Sequence, residues 1–179
     1  PRLALGALGP RMQSLAAAEA DMLITGMLGP GDVQRIREHA AQSDRQLETP
    51  LEIHVGVFVV PPGEPEAVDL AARRHLTNYL PVPAYAEFHQ WLGRGRALDE
   101  MNARWASGDR RGAVAAIPAS VVRELVVTGS FDECVAGVRS YLDAGVDGVN
   151  LMIPATASGD PHAMGEFLGE LVSAIGALG

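Results

Sequence analysis

The chain has 179 residues, of which 47% are hydrophobic and 5% aromatic, and this length is enough for one domain with a sizeable core. Its formal net charge is −8, and its fourteen basic residues, all arginine, are scattered, which argues against a nucleic-acid-binding surface. A single cysteine, Cys134, excludes an intrachain disulfide and a cysteine metal cluster, which fits a reducing cytoplasm.

Targeting and metal signals are absent from the sequence. No apolar run approaches the roughly 20 residues of a membrane-spanning helix, and the first residues lack the pattern of a secretion signal. The five histidines are dispersed and none has metal-ligand spacing, so no metal site is predicted. We expect a soluble cytoplasmic protein, and because the chain lacks an initiator Met and opens almost directly with a strand, we expect a fragment.

Apolar runs alternate with amphipathic helical patterns along the chain, which is typical of βαβ units and a parallel sheet. Strands are predicted at residues 2–6, 22–25, 51–60 and 148–153. Helices are predicted at residues 10–20, 32–41 and 162–178, and a further helix begins with a capping box at Ser130 and ends at Gly145. The first strand therefore runs into a small-residue turn that opens a helix at Pro10, an arrangement that can present a helix N-terminus to an anion.

A long, mostly helical insertion at about residues 64–125 follows the third strand. Connections between a strand and a helix are ordinarily only a few residues long. The insertion holds both tryptophans, Trp91 and Trp105, together with Tyr79 and Tyr85. These aromatic residues could line a pocket or pack a small satellite core.

Four parallel strands leave two open edges, whereas parallel sheets normally have their faces and edges covered. Eight βα units would close a barrel of about 250 residues, and the chain has the repeat count of half of one plus an insertion. An open doubly wound sheet is the alternative, but no strand is followed by the Gly-x-Gly-x-x-Gly pattern. We therefore predict an α/β fold of parallel units, half of a (β/α)8 barrel, as one domain over residues 1–179.

Six short stretches follow one another in a fixed order along nearly the whole chain. They are LGALGPRM at 5–12, ADMLI at 20–24, NYLPVPAY at 78–85, WASGD at 105–109, GSFDEC at 129–134 and AGVD at 144–147. Together they resemble the C-terminal half of the bacterial luciferase-like monooxygenase family, and more narrowly its F420-dependent oxidoreductase branch.

The resemblance implies that the four strands are the fifth to eighth of a TIM barrel, with coenzyme F420, or alternatively FMN, at its C-terminal mouth. The phosphate would lie against the loop after the first strand of this chain, where Gly9 permits close backbone approach and the amides near Arg11 and Met12 can face it. Gly-Pro at a helix start is also ordinary capping, and the residues alone favour that alternative. The implied cofactor-binding residues are Ala7, Leu8, Gly9, Pro10, Arg11, Met12, Thr25 and Gly26.

The remaining strand ends, at residues 25–27, 60–62 and 152–154, are expected to complete the mouth. Tyr79 and Tyr85 are the candidate substrate contacts. His54 and His89 are further candidates; a histidine in an apolar strand is more often structural, and His89 on an amphipathic helix could be surface-exposed.

The implied activity is that of an oxidoreductase, in which F420 or FMN supports hydride transfer or monooxygenation of a small organic substrate. No catalytic residue can be assigned, because the reaction-specific residues would belong to the first four strands of the barrel. The expected partner is a second copy of the chain or the missing N-terminal half. The alternative is a non-catalytic half-barrel that binds flavin or serves dimerisation. High Ala, Gly and Arg content suggests a bacterial source with a GC-rich genome.

Overall fold

A computed structural model describes residues 1–157 and 160–177 of the chain. Within these ranges, five strands form one parallel sheet. They are β1 (Ala4–Gly6), β2 (Met22–Gly26), β3 (Glu52–Val59), β4 (Val126–Val127) and β5 (Gly148–Met152).

Strand β3 is the centre of the sheet. Its Gly56 pairs with Gly26 of β2 and with Asn150 of β5, so these two strands lie on opposite edges of β3. Phe58 pairs with both Val126 of β4 and a residue of β5, which places β4 on the β2 edge, beyond the end of β2. The order across the sheet is therefore β1, β2, β3 and β5, with β4 extending the β2 edge.

Helices connect the strands in the order that the sequence pattern predicts. Those outside the insertion are α1 (Pro10–Glu19), α2 (Val33–Ala41), α8 (Phe131–Asp143) and α9 (Pro161–Gly176). The insertion contains α3 (Pro65–Thr77), α4 (Pro83–Trp91), α5 (Asp99–Ala106), α6 (Arg110–Ala116) and α7 (Ala119–Leu125). Short 3₁₀ turns lie at Pro30–Asp32, Arg96–Leu98 and Ala155–Ala157.

The four predicted strands and the helical insertion are confirmed. The capping box also forms: the Glu133 amide donates to the Ser130 hydroxyl at 3.3 Å, and the Ser130 amide donates to the Glu133 carboxylate at 2.7 Å. Strand β4 was not predicted, because its two valines directly continue the apolar pattern of α7. The predicted end of the last helix, at residue 178, lies outside the described residues.

The two faces of the sheet differ sharply in burial. Along β3, the side chains that point to the helices, Ile53, Val55, Val57 and Val59, are buried in the larger core cluster. On the opposite face, Ile24 and Met152 are each 36% exposed. The helices outside the insertion therefore cover one face, and the other face remains open along much of its length.

An ion-pair network ties the loop after β2 to the insertion. The Arg94 guanidinium donates to Asp32 at 2.6 Å and to Glu124 at 2.7 Å. The Asp32 carboxylate also accepts from the Gly29 amide at 2.7 Å. Because the side chains of Arg94 and Asp32 are each only 11% exposed, this pair is shielded from water. Deleting one partner would leave a buried charge without compensation.

Replacing Arg94 with methionine should lower the free energy of unfolding by about 3 kcal/mol, because Asp32 would keep its charge in a site that excludes water. Urea unfolding at neutral pH measures the change. The matched control is Arg104→Met, which removes ion pairs to Glu100 and Asp109 at a site where the arginine side chain is half-exposed. An Arg94→Met variant as stable as the control would show that the network contributes nothing.

His89 of α4 is fully buried beside this network. The alternative that His89 is surface-exposed is therefore wrong. It follows Phe88, which is also buried, and the turn of α4 that carries both residues packs against the protein interior. Burial, with a smaller contribution from the positive charge of Arg94, lowers the pKa of His89 to about 4, and the nearby Asp32 opposes this shift only in part.

Stability should fall as the pH is lowered from about 6.5 to about 4, because an unfolded histidine takes up a proton in this range and buried His89 does not. A pKa difference of this size between the folded and unfolded states changes the free energy of unfolding by about 3 kcal/mol. Urea unfolding of His89→Phe at pH 7 and pH 4.5 should show a weaker pH dependence than the parent chain. His162→Phe is the control, since the His162 side chain is 83% exposed. Equal pH dependence in both variants would contradict the assignment.

Candidate functional site

A cleft of about 470 Å³ lies on the open face of the sheet, at the carboxyl ends of β1, β2, β3 and β5. In parallel α/β folds, ligands bind at this edge. The cleft is lined by Gly6, Ala7, Leu8, Ile24, Thr25, Gly26, Met27, Gly56, Phe58, Tyr79, Tyr85, Asn150 and Met152.

The fold brings six of the predicted site residues into this cleft. They are Ala7, Leu8, Thr25, Gly26, Tyr79 and Tyr85. The other four, Gly9, Pro10, Arg11 and Met12, follow directly in the chain and form the start of α1. The cleft and the helix start are thus continuous through the loop after β1.

The start of α1 is open. Gly9 caps the helix without a side chain, and a Cβ added there would meet no atom within 4 Å. Pro10 occupies the first helical position, and the Gly9 carbonyl accepts from the amides of Met12 and Gln13 at 3.1 and 3.0 Å. The Arg11 amide has no carbonyl of its own helix to bind. With no acidic residue in this turn, the helix start can accept an anion.

Gln13 holds the loop that joins the cleft to this helix start. Its side chain is buried, and Nε2 donates to the Leu8 carbonyl at 2.6 Å. Oε1 of Gln13 has no partner among the described residues. Sequence reasoning missed this residue, since a glutamine within a helical pattern is typical of a solvated face.

His39 of α2 supports the same turn from outside. Its Nε2 lies 2.8 Å from the Pro10 carbonyl oxygen and 3.0 Å from the Ser14 hydroxyl. Because a carbonyl can only accept, this ring nitrogen carries a proton. The imidazole packs edge-on against Trp91, with ring centroids 5.5 Å apart. The insertion therefore contacts the start of α1 through one histidine.

The end of β2 carries two unusual groups. Thr25 is 7% exposed, and its hydroxyl has no hydrogen-bond partner within the part of the chain that the structure describes. Met27 has a φ of +54°, in the left-handed region, which costs a residue with a side chain about 1 kcal/mol or more. Unpaired polar groups and backbone strain both concentrate at ligand sites.

One wall of the cleft is aromatic. Phe58 of β3 and Tyr79 have ring centroids 6.1 Å apart, and Tyr79 and Tyr85 have centroids 5.2 Å apart. Burial and the adjacent Tyr79 raise the pKa of Tyr85, so its phenol stays neutral. The two tyrosines both line the cleft and pack against the second core cluster, so both expected roles are present. Trp91 and Trp105 pack against the core clusters and do not line the cleft.

His75 lies behind this wall. Its ring centroid is 4.0 Å from that of Phe58 and 5.0 Å from that of Tyr79. Burial lowers the pKa of His75 to about 4, so the imidazole is neutral at physiological pH. The wall of the cleft is therefore backed by an uncharged ring.

Glycines form part of the floor of the cleft. Gly26 and Gly56 are paired in register on adjacent strands, and Asn150 is the next residue across the sheet. A Cβ at Gly56 would lie 2.6 Å from the terminal methyl of Met152. Sequence reasoning missed Gly56, although a glycine that interrupts a Val-rich strand signals close approach of another group.

The remaining strand ends that were predicted to complete the mouth lie partly in this cleft and partly in another. Residues 60–62 line a second cavity of about 470 Å³ beside α3 and the start of α9. Among residues 152–154, Met152 lines the cleft. His54 binds Glu52 at 3.2 Å, and the structure does not bring it into the cleft.

Neither a metal cluster nor a membrane helix is found among the described residues. There, no group of three or more His, Cys, Asp or Glu side chains could hold a metal ion. Over the same ranges, no helix is long and apolar enough to cross a membrane.

Parallel βα units with a cleft at the carboxyl ends of their strands define part of a barrel-type α/β enzyme fold. The sequence model of the luciferase-like monooxygenases matches residues 1–148, and the chain belongs to that family. The predicted family and fold class are confirmed. A comparison with curated proteins found no match.

Solved structures support the same fold. The coenzyme F420 dependent tetrahydromethanopterin reductase of Methanopyrus kandleri has a TM-score of 0.61 at 19% identity, and the match covers 85% of this chain and 44% of that one. An F420-dependent secondary alcohol dehydrogenase has a TM-score of 0.60 at 15% identity, and the match covers 97% of this chain and 48% of that one. The EDTA monooxygenase of Chelativorans sp. BNC1 has a TM-score of 0.63 at 13% identity, and the match covers 100% of this chain and 45% of that one. The chain thus spans less than half the length of these proteins.

Thr25→Val should stabilise the chain without ligand by about 1 kcal/mol, because it removes a buried hydroxyl that has no partner. Thermal or urea unfolding measures the change. Thr77→Val is the matched control: Thr77 is equally buried, but its hydroxyl donates to the Arg73 carbonyl at 2.7 Å, and its loss should destabilise. Destabilisation by both variants would mean that the Thr25 hydroxyl is satisfied in solution.

Proposed function

We propose that this chain forms the phosphate-binding side of the mouth of a luciferase-like oxidoreductase barrel, with coenzyme F420 as its cofactor and FMN as the alternative. The observation that carries the proposal is the open start of α1, continuous with the cleft. F420 is preferred because two of the structural neighbours are F420-dependent enzymes.

The phosphate is assigned to the amides and side chain at the start of α1. Aligned peptide dipoles place roughly half a positive charge at a helix N-terminus. The Arg11 side chain is exposed and adds a full positive charge on the same turn. Because nothing fills the space beside Gly9, a phosphate can approach the backbone closely.

The cleft is assigned to the uncharged parts of the ligands. Thr25 offers a buried hydroxyl that still needs a partner, and this orphaned group is the feature of the cleft that best fits a bound cofactor. Tyr79 and Tyr85, from the insertion, are assigned to the substrate. When bound, F420 or FMN supplies the redox chemistry, while these residues orient the reactants and exclude water.

The open face of the sheet is assigned to further βα units. Among the described residues, β1 pairs only with β2, and β5 pairs only with β3. Four more units, from the remainder of a longer polypeptide or from a second copy of the chain, would cover the exposed Ile24 and Met152 and complete the mouth. Among the described residues that line the cleft there is no Asp, Glu, Lys, Arg or His, so we assign any charged acid or base that acts on the substrate to the completing units.

Riboflavin and FMN differ only in the phosphate, and this pair tests the assignment directly. We expect FMN to bind at least tenfold more tightly than riboflavin, and Gly9→Val to remove most of that difference, because its side chain would occupy the space assigned to the phosphate. Quenching of flavin fluorescence gives both dissociation constants, and a parallel titration with F420 decides between the cofactors.

Gly165→Val is the matched control, since a Cβ at Gly165 in α9 also meets no atom within 4 Å but lies away from the cleft. Arg11→Ala should weaken FMN binding and leave riboflavin unchanged. An unchanged FMN-to-riboflavin ratio in Gly9→Val would remove the start of α1 from the site. Bound cofactor that supports no turnover after the barrel is completed would favour a non-catalytic binding role.

A further inference from the structure

We infer that the Gly56 side of the cleft, between Phe58, Met152 and the two tyrosines, selects an uncharged, flat substrate group with a carbonyl or hydroxyl, and that Gly56 and Met152 set its depth. This inference rests on the proposed function, because it assigns the substrate end of the same site.

The first argument is the absence of charge. Every side chain that lines the cleft is apolar or carries a neutral polar group. The titratable groups closest along β3 and behind the aromatic wall are His54, which is bonded to Glu52, and His75, which is buried. A carboxylate or ammonium at the Gly56 side of the cleft, away from the start of α1, would lose its water without gaining a counter-charge. Charged substrates are therefore disfavoured.

The second argument is the kind of polar group that the cleft offers. Tyr79 and Tyr85 bring phenol hydroxyls, and Asn150 brings a carboxamide. Phenols and carboxamides both donate and accept hydrogen bonds without charge. A carbonyl or hydroxyl oxygen on an otherwise apolar ligand suits this set.

The third argument concerns shape. Gly26 and Gly56 lie side by side without side chains, and the terminal methyl of Met152 occupies the space where a Gly56 side chain would begin. Met152 is 36% exposed, and a methionine side chain is flexible and packs well against aromatic rings. A flat group can therefore displace the methyl and lie over Gly56, beside Phe58.

Two naphthalene probes of the same shape test this inference on the 179-residue chain: 2-acetylnaphthalene, which is neutral, and 2-naphthoate, which is an anion at pH 7. We expect the ketone to bind at least tenfold more tightly, as measured by ligand-observed NMR titration. Gly56→Ala should weaken ketone binding at least fivefold, because the added methyl group pushes Met152 into the cleft. Adding Met152→Ala to that variant should restore binding.

Gly165→Ala is the matched control and should bind both probes as the parent chain does, since its added methyl meets nothing. Circular dichroism checks that each variant folds. If Gly56→Ala does not fold, Met152→Phe replaces it, because Met152 lines the cleft and a larger, stiffer side chain there should make the cleft shallower and weaken ketone binding. Equal affinity of the parent chain for the two probes would overturn the inference. Unchanged ketone affinity in a folded variant that was designed to make the cleft shallower would also overturn it.

Because 2-naphthoate is an anion and the start of α1 can accept one, the naphthalene comparison is repeated in the Arg11→Ala and Gly9→Val variants. A preference for the ketone that is the same in these variants separates this experiment from the flavin titration. Equal affinity of the parent chain for FMN and riboflavin would overturn the proposed cofactor site. Equal affinity for the two naphthalenes would overturn only the proposed substrate class.

Discussion

Parallel pairing on both edges of β3 is the constraint on which the rest of the structure depends. Because β2 and β5 both run parallel to β3, the three strands end at the same edge of the sheet. Alternation along β3 then separates two roles: Val55 and Val57 are buried under the helices, while Gly56 and Phe58 face the cleft. One strand thus supplies both the core and the floor of the candidate site.

Polar contacts hold the loops at the carboxyl-terminal edge of the sheet. Arg94 joins the loop after β2 to the insertion, and the hydroxyl of Tyr141 in α8 donates to the Leu28 carbonyl at 3.0 Å in that same loop. A buried ion pair is weak evidence for stability in itself, because desolvation offsets the attraction. Here it joins the loop after β2 to the insertion, and the insertion carries Tyr79 and Tyr85 to the cleft.

The sequence predicts the parts of the fold that local periodicity encodes. Strand β3 is a long Val-rich run, and the helix after Ser130 has a capping box and ends near a glycine, so both follow from neighbouring residues. The burial of His89, the pairing of β4 with β3 and the contact of Gly56 with Met152 all arise between segments that are distant in the chain. Such contacts leave no periodic signal, which is why Gly56 and Asn150 were missed. The loop after β1, Thr25 and Gly26 were predicted from the family resemblance and not from periodicity.

The edge-on contact between Trp91 and His39 has a consequence for observing this protein in solution. His39 is hydrogen-bonded to the Pro10 carbonyl, and Arg35 lies 4.9 Å from the centre of the Trp91 ring. Indole emission is sensitive to nearby charge and to ring contacts, and the other tryptophan, Trp105, packs against Arg110 in a separate cluster. A shift in the first turn of α1 changes the surroundings of one indole and spares the other. The chain therefore carries an intrinsic optical reporter of that turn, with its own internal reference.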